Sequence, residues 1–103
     1  MGAVVWLNEM SEQASLVAVV HGRVQGVFFR AFVKDHAKAL GLSGYVKNKS
    51  GGRSVEVHAE GEKEKLEELL NYLRTGPSRA NVDRVDVEWS DFKGRFQGFS
   101  VNY

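Results

Sequence analysis

The sequence contains no cysteine, no long apolar stretch and almost no net charge, and each absence removes a class of function. Without cysteine the chain forms no disulfide, no thiolate metal site and no cysteine nucleophile. No segment approaches the roughly 20 consecutive apolar residues that span a bilayer. The short apolar run at residues 3–7 lacks the preceding basic residue that a secretory signal requires. These absences predict a cytoplasmic protein that does not associate with membranes.

The net charge is only +1, but the charges are unevenly distributed. Residues 21–53 hold half of the 14 lysines and arginines and a single acidic residue, Asp35, whereas the rest of the chain is net acidic. A near-neutral chain is a poor general binder of polyanions. A basic segment within such a chain predicts a small anionic ligand rather than a long nucleic acid.

At 103 residues, 43% hydrophobic and 26% charged, the chain has the size and composition of one folded domain. Residues 1–14 have no sustained hydrophobic period, so we expect a flexible N-terminal extension there, with Met10 as an alternative start. The folded domain is predicted over residues 15–103.

Hydrophobic periodicity predicts several strands. Residues 16–20 form a continuous apolar run that is typical of a central strand. Residues 54–60 alternate, which places apolar side chains on one face and Glu56, His58 and Glu60 on the outward face of a half-buried antiparallel strand. Shorter patterns predict further strands at residues 45–46, 85–89 and 99–103.

Two segments have the three- and four-residue spacing of amphipathic helices. The first begins at Phe28 and ends before Gly41; the second follows Gly61 and ends at Gly76 and Pro77, a typical helix stop. The predicted order is therefore βαββαβ plus a short C-terminal strand. Two helices on one face of an antiparallel sheet make a ferredoxin-like α/β sandwich of the α+β class. This fold by itself assigns no function.

The segment from Gly22 to Arg30 joins the first strand to the first helix and is the best candidate for chemistry. Its two glycines let the backbone approach a ligand closely, and main-chain N–H groups at a helix start attract phosphate. Arg30 lies in the first helical turn, where a cation opposes the helix dipole and where its guanidinium is able to hold two phosphoryl oxygens. On the residues alone, an anion site and an ordinary strand–helix connection explain this segment equally well.

Two motifs resemble those of the acylphosphatase family. Residues 22–30, GRVQGVFFR, match the family signature G-x-V-Q-G-V-x-F-R, and residues 44–48, GYVKN, match its G-x-V-x-N element. The motifs stand in the family's order and at about its spacing. The likeness covers roughly residues 15–103 and continues into the aromatic C-terminal strand.

The resemblance implies an enzyme that hydrolyses the carboxyl–phosphate bond of acyl phosphates without a metal or other cofactor. It implies that Arg30 binds the phosphate and that Asn48 positions the attacking water. The main chain of the loop would complete the phosphate site at Arg23, Val24, Gln25, Gly26, Val27, Phe28 and Phe29. We expect a monomer that takes a small-molecule acyl phosphate, releases inorganic phosphate and is competitively inhibited by it. No nucleic-acid or membrane partner is expected.

Two alternatives remain open. RNA-recognition domains share the βαββαβ order, but they stack bases on aromatic side chains of the two central strands, where this sequence offers only His58. A non-catalytic acylphosphatase-like domain, of the kind fused to carbamoyl-transfer enzymes, would carry the same two motifs. A metal site is disfavoured because His21, His36 and His58 lack the spacing of metal ligands.

Overall fold

A computed structural model describes residues 12–103, and these form five strands and two helices. In chain order the elements are β1 (Gln13–Arg23), α1 (Phe29–Ala39), β2 (Ser43–Asn48), β3 (Ser54–Glu62), α2 (Lys63–Thr75), β4 (Asn81–Asp91) and β5 (Phe99–Asn102). The predicted order is confirmed. Most strands extend beyond the apolar runs because main-chain pairing continues past the last buried side chain. Within the described residues, neither helix is long and apolar enough to cross a membrane.

The predicted N-terminal extension lies mostly outside the described residues, so its flexibility stays a prediction. Gln13 and Ala14 are described and belong to β1, where they pair with Glu62 and Gly61 of β3. Strand pairing therefore begins two residues before residue 15, the predicted start of the domain.

The sheet has the strand order β4-β1-β3-β2-β5. The first four strands pair antiparallel, as predicted, whereas β5 pairs parallel with β2, with Gly44 opposite Phe99 and Lys47 opposite Asn102. The parallel pair arises because the chain leaves β4 at one edge, crosses the sheet over residues 92–98 and enters β5 at the other edge. The ferredoxin-like sandwich is confirmed, with a mixed sheet in place of a purely antiparallel one.

The hydrophobic core lies between one face of the sheet and the two helices. Alternate side chains of β1 and β3 point into it, and the helical stripes predicted from the sequence pack against them. Core residues with no exposed surface include Leu16, Ala18, Val20, Val33, Ala37, Val55, Val57, Ala59, Leu66, Leu69 and Leu73. Fully burying a valine or leucine contributes roughly 1.5–3 kcal/mol to the stability of the fold. This layer therefore stabilises the strand and helix ends from which the loops extend.

Residues 92–98 cover part of the sheet face opposite the helices, which the sequence did not predict. The side chain of Glu60 has no exposed surface, and its carboxylate accepts hydrogen bonds from the main-chain N–H groups of Lys93 and Arg95, both at 3.1 Å. Phe96 packs edge-on against His58, with ring centroids 4.8 Å apart. The alternation along β3 is as predicted, but the prediction that this face is outward is wrong at Glu60, because the crossing segment covers it.

The pKa values of two groups on this covered face reflect their surroundings. Burial by itself would raise the pKa of Glu60, but the N–H donors of Lys93 and Arg95, the Ser15 hydroxyl and the Arg95 charge lower the pKa below its usual 4.5. Burial and the charge of Arg95 lower the pKa of His58 below its usual 6.5. At neutral pH Glu60 is therefore ionised and His58 is mostly uncharged.

Candidate active site

The loop between β1 and α1 is shaped by unusual backbone conformations. The pairing of β1 with β4 shifts by one residue between His21 and Gly22, and a Cβ on Gly22 would lie 2.2 Å from the carbonyl oxygen of Asn81, so only glycine permits this approach. Gly26 and Phe28 adopt left-handed conformations with φ of 71° and 62°. For a phenylalanine this conformation costs roughly 1–2 kcal/mol. Strain of this kind beside a helix start marks the loop as a functional candidate.

Several main-chain N–H groups in this loop have no acceptor among the described residues. In the part of the chain that the structure describes, no N–H of residues 25–28 donates to another protein atom. α1 begins after Phe28 with neither a side-chain cap nor an acidic residue in its first turn. A helix start leaves its first N–H groups unpaired and carries a positive partial charge. Consecutive unpaired donors at that position suit a phosphate-like anion.

The Arg30 guanidinium is held by the C-terminal end of the chain. Its Nη1 donates to the carbonyl oxygen of Asn102 at 3.3 Å, and its Cζ lies 4.5 Å from the centroid of the Tyr103 ring. Among residues 12–103, no carboxylate forms an ion pair with Arg30. A guanidinium has five N–H donors, so most of them remain for a ligand.

Asn48, the last residue of β2, presents a buried acceptor. Its Oδ1 atom has no hydrogen-bond partner among the described residues, and its main chain is fixed opposite Val55 of β3. A buried unsatisfied acceptor costs about 1–3 kcal/mol. Such groups in native proteins usually meet water or serve a function. Asn48 therefore brings to the end of β2 a polar group whose hydrogen-bonding capacity the described residues leave partly unused.

Arg30 and Asn48 line the same cavity, which has a volume of about 410 Å³. It opens between the loop, the start of α1 and the ends of β2 and β5, and none of the described acidic side chains lines it. Its lining residues are Val24, Gly26, Phe28, Phe29, Arg30, Ala31, Lys34, Asn48, Val101 and Tyr103. The topology thus brings the two sequence motifs together with the last strand around one electropositive space.

Six of the nine predicted site residues line this cavity: Val24, Gly26, Phe28, Phe29, Arg30 and Asn48. The other three side chains point elsewhere. Arg23 is exposed, Val27 is buried in the core, and Gln25 reaches the β2–β3 hairpin. Because the loop was expected to act through its main chain, a role for these three positions stays a prediction.

Sequence reasoning missed two polar or aromatic members of the cavity. Lys34 lies four residues after Arg30, so the helical period alone would have placed both on one face of α1. No local pattern in the sequence indicates that Tyr103 lies at the cavity. It lies beside Arg30 because β5 pairs in parallel with β2. Tyr103 was predicted as part of the last strand, but that strand ends at Asn102.

Gln25 braces the loop against the hairpin. Its Nε2 donates to the carbonyl oxygens of Lys49 and Ser54, both at 2.8 Å. We expect Gln25→Ala to lower the free energy of unfolding by about 1–3 kcal/mol, since each lost hydrogen bond contributes about 0.5–1.5 kcal/mol. Urea unfolding measures this, with the exposed Gln97→Ala as the matched control. Equal stabilities of the two variants would show that the brace has no energetic role.

Comparison with known proteins assigns the family. The acylphosphatase family model matches residues 16–101. An acylphosphatase from Thermus thermophilus is 54% identical over 86 residues, covering 84% of this chain and 96% of that protein. One from Dehalococcoides mccartyi is 49% identical over 88 residues, covering 85% of this chain and 97% of that protein.

A solved structure agrees with these sequence relatives. The crystal structure of acylphosphatase from Bacillus subtilis superimposes with a TM-score of 0.83 at 36% identity, covering 87% of this chain and 99% of that one. The matched residues 16–101 contain both motifs, both helices and the lining residues of the cavity other than Tyr103. The chain therefore belongs to the acylphosphatase family, hydrolases that act on acyl phosphates.

Proposed function

We propose that this acylphosphatase binds the phosphoryl group of its substrate with Arg30 and the loop N–H groups, and that Asn48 directs the attacking water. The observation that carries the proposal is the shared cavity, in which both side chains stand beside a loop of unpaired main-chain donors. No metal or other cofactor takes part in the proposed reaction.

The charge distribution of the cavity supports phosphate binding. Arg30 and Lys34 are its two cationic side chains, and neither forms an ion pair within residues 12–103. The planar guanidinium matches two phosphoryl oxygens, whereas an ammonium acts as a point charge. Arg30 therefore orients the phosphoryl group, and Lys34 adds positive potential. Together they supply charge that a metal ion supplies in many other phosphoryl-transfer sites.

The Asn48 carboxamide supports the positioning of water. A carboxamide is no base at neutral pH, but its oxygen accepts a hydrogen bond from a water molecule and holds it in one orientation. The buried Oδ1 has that capacity unused by the protein. Fixing a nucleophile in line with the bond that breaks removes much of the entropy cost of the reaction.

The chemistry of the substrate explains why no acid or base side chain is needed. Water attacks phosphorus, and the bond from phosphorus to the carboxyl oxygen breaks as the new P–O bond forms. The leaving group is a carboxylate, a weak base that departs without protonation. The proton lost by the water passes to a phosphoryl oxygen, which gives inorganic phosphate and a carboxylate. Since the transition state is loose, positioning and charge stabilisation suffice.

The whole chain should hydrolyse benzoyl phosphate at neutral pH in excess EDTA, with inorganic phosphate as a competitive inhibitor. The physical reason is that the anion site consists of side-chain and main-chain donors, so chelation removes nothing from it. Loss of benzoyl phosphate absorbance, followed with and without EDTA and phosphate, measures both effects. Turnover abolished by EDTA and restored by Mg²⁺ would contradict the metal-free reaction. Phosphate binding without any turnover would favour the non-catalytic alternative.

We propose a monomer as the active form, since Arg30 and Asn48 of a single chain already border one cavity. Light scattering of the active protein tests this. The absence of cysteine suits a reducing compartment, and we retain the cytoplasm as the proposed location. The RNA-binding alternative is less well supported, because Glu56, Asp86 and Glu88 lie on the sheet face where such domains bind and would repel the phosphate backbone.

A further inference from the structure

The position of the Arg30 guanidinium depends on a short strand at the edge of the sheet. Its hydrogen bond to Asn102 and its contact with Tyr103 both come from the end of β5. β5 has four residues, lies at the edge of the sheet and, among residues 12–103, pairs only with β2, in parallel. A short strand with one neighbour is weakly held, and parallel pairing is slightly the less stable kind. Besides the ladder, the buried side chain of Phe99 anchors the start of β5 in the core, and the segment before β5 makes further hydrogen bonds.

The segment before β5 is fixed by the buried carboxylate of Glu60. The two oxygens of Glu60 accept from Lys93 N and Arg95 N, each at 3.1 Å, and Arg95 Nε lies 4.0 Å from Oε2. The same segment ends at Gly98, whose carbonyl oxygen accepts from Gly44 N of β2 at 2.9 Å. Residues 92–98 are thus held to β3 at one end and to β2 at the other.

Glu60 is a charged carboxylate with no exposed surface. Its burial is costly unless hydrogen bonds compensate, and a well-packed apolar side chain often serves stability as well or better. What an ionised carboxylate adds is strong, directional acceptors for particular N–H groups. Here the donors belong to the segment that leads into β5.

We propose that Glu60 is a positioning residue for Arg30. By fixing residues 92–98, its carboxylate sets where β5 lies along β2 and therefore where Asn102 and Tyr103 hold the guanidinium. The proposal rests on the proposed role of Arg30 in phosphate binding. Glu60 itself does not line the cavity, so its effect reaches the substrate only through β5.

The test uses Glu60→Gln in the whole chain. The amide keeps the size of the side chain but turns one acceptor into a donor facing an N–H group. We expect the folded variant to bind inorganic phosphate more weakly and to lose kcat/KM by about 5- to 100-fold, since small displacements of a catalytic group have effects of that order. Hydrogen exchange at residues 98–103 should accelerate. Calorimetric titration with phosphate and exchange mass spectrometry measure the two effects.

Leu70→Ala is the control for a merely structural effect. It leaves a cavity beside α2, which packs on β1, β3 and β4, so it should lower stability while phosphate affinity and exchange at residues 98–103 stay as in the parent. Should Glu60→Gln fail to fold, Glu60→Asp keeps the charge and retracts the carboxylate, and an intermediate loss of affinity is expected. A folded Glu60 variant with parental phosphate affinity overturns the proposal.

Arg30→Ala distinguishes a failure of the proposed function from a failure of the proposed role of Glu60. If it leaves phosphate affinity unchanged, the proposed function fails. If it abolishes binding while the Glu60 variants bind normally, only the positioning role of Glu60 fails. The role is supported when the Arg30 and Glu60 variants both weaken binding and the Leu70 variant does not.

Discussion

Replacing Arg30 with alanine should reduce kcat/KM for benzoyl phosphate by at least about 10³-fold. An arginine that stabilises a transferring phosphoryl group contributes about 10³- to 10⁵-fold in rate. Among the described residues, Arg30 supplies the one guanidinium that lines this cavity, and the other lining cation, Lys34, cannot make a planar two-pronged contact. Steady-state kinetics on the purified variant, with circular dichroism to verify folding, measure the loss.

Lys34→Ala is the matched control for Arg30, because it removes a cation from the same cavity and the same helix. If positive charge alone mattered, the two variants would be equally impaired. We expect the Lys34 variant to retain most of its turnover and to show mainly a raised KM. The Lys34 ammonium is a partly exposed point charge, and such a charge contributes modestly to the binding of an anion. A folded Arg30→Ala variant with near-parental turnover would refute the phosphate-binding role.

Asn48→Ala should leave phosphate binding almost intact while kcat collapses by about 10²- to 10³-fold, the usual cost of losing one preorganised polar group that acts in the transition state. The carboxamide directs water and carries no charge for phosphate, so its removal should affect the chemical step alone. Phosphate affinity by calorimetry and kcat by steady-state kinetics separate the two quantities.

Asn71→Ala, on the exposed side of α2, is the control for Asn48 and should match the parent in both measurements. A parallel fall in phosphate affinity and in kcat of the Asn48 variant would instead assign the residue a structural role, as a support for the cavity wall. Because β2 pairs with β3 through the main chain at this residue, the substitution removes no ladder hydrogen bond.

The sequence predicted those features that depend on local periodicity. Leu66, Leu69 and Leu73 form a helical stripe and are all fully buried, and the alternation from Val55 to Ala59 points into the core as expected. Periodicity is readable because it depends only on the geometry of one helix or one strand. The pairing of β2 with β3 then follows from the short connection between them, and the pairings of β1 with β3 and β4 follow from the order of elements in a ferredoxin-like sandwich.

The sequence could not predict contacts made by segments that cross the molecule. Glu60 has the spacing of an outward residue, and only the passage of residues 92–98 over β3 buries it. The same crossing brings β5 alongside β2 and so delivers Tyr103 to Arg30. These arrangements depend on which edge of the sheet the chain reaches, and no local pattern encodes that.

The candidate site likewise combines residues that a local pattern predicts with residues that it does not. The loop glycines and Arg30 could be read as an anion site from their chemistry, but an ordinary connection explained them equally well. Asn48 has no local chemical signal. It is a predicted site residue only because residues 44–48 resemble the family's G-x-V-x-N element. The structure adds the physical link, since the end of β2 and the start of α1 border one cavity. The helical period places Lys34 on the same face of α1 as Arg30, so its position at the cavity follows from the sequence.

The most direct test is a crystal of the protein soaked with phosphate, solved at a resolution that shows ordered water. The account predicts one phosphate in the cavity, bound by the Arg30 guanidinium and by main-chain N–H groups of residues 25–28, with a water on the Asn48 oxygen facing phosphorus. A phosphate bound outside the cavity, or one that contacts neither Arg30 nor the loop, would contradict it.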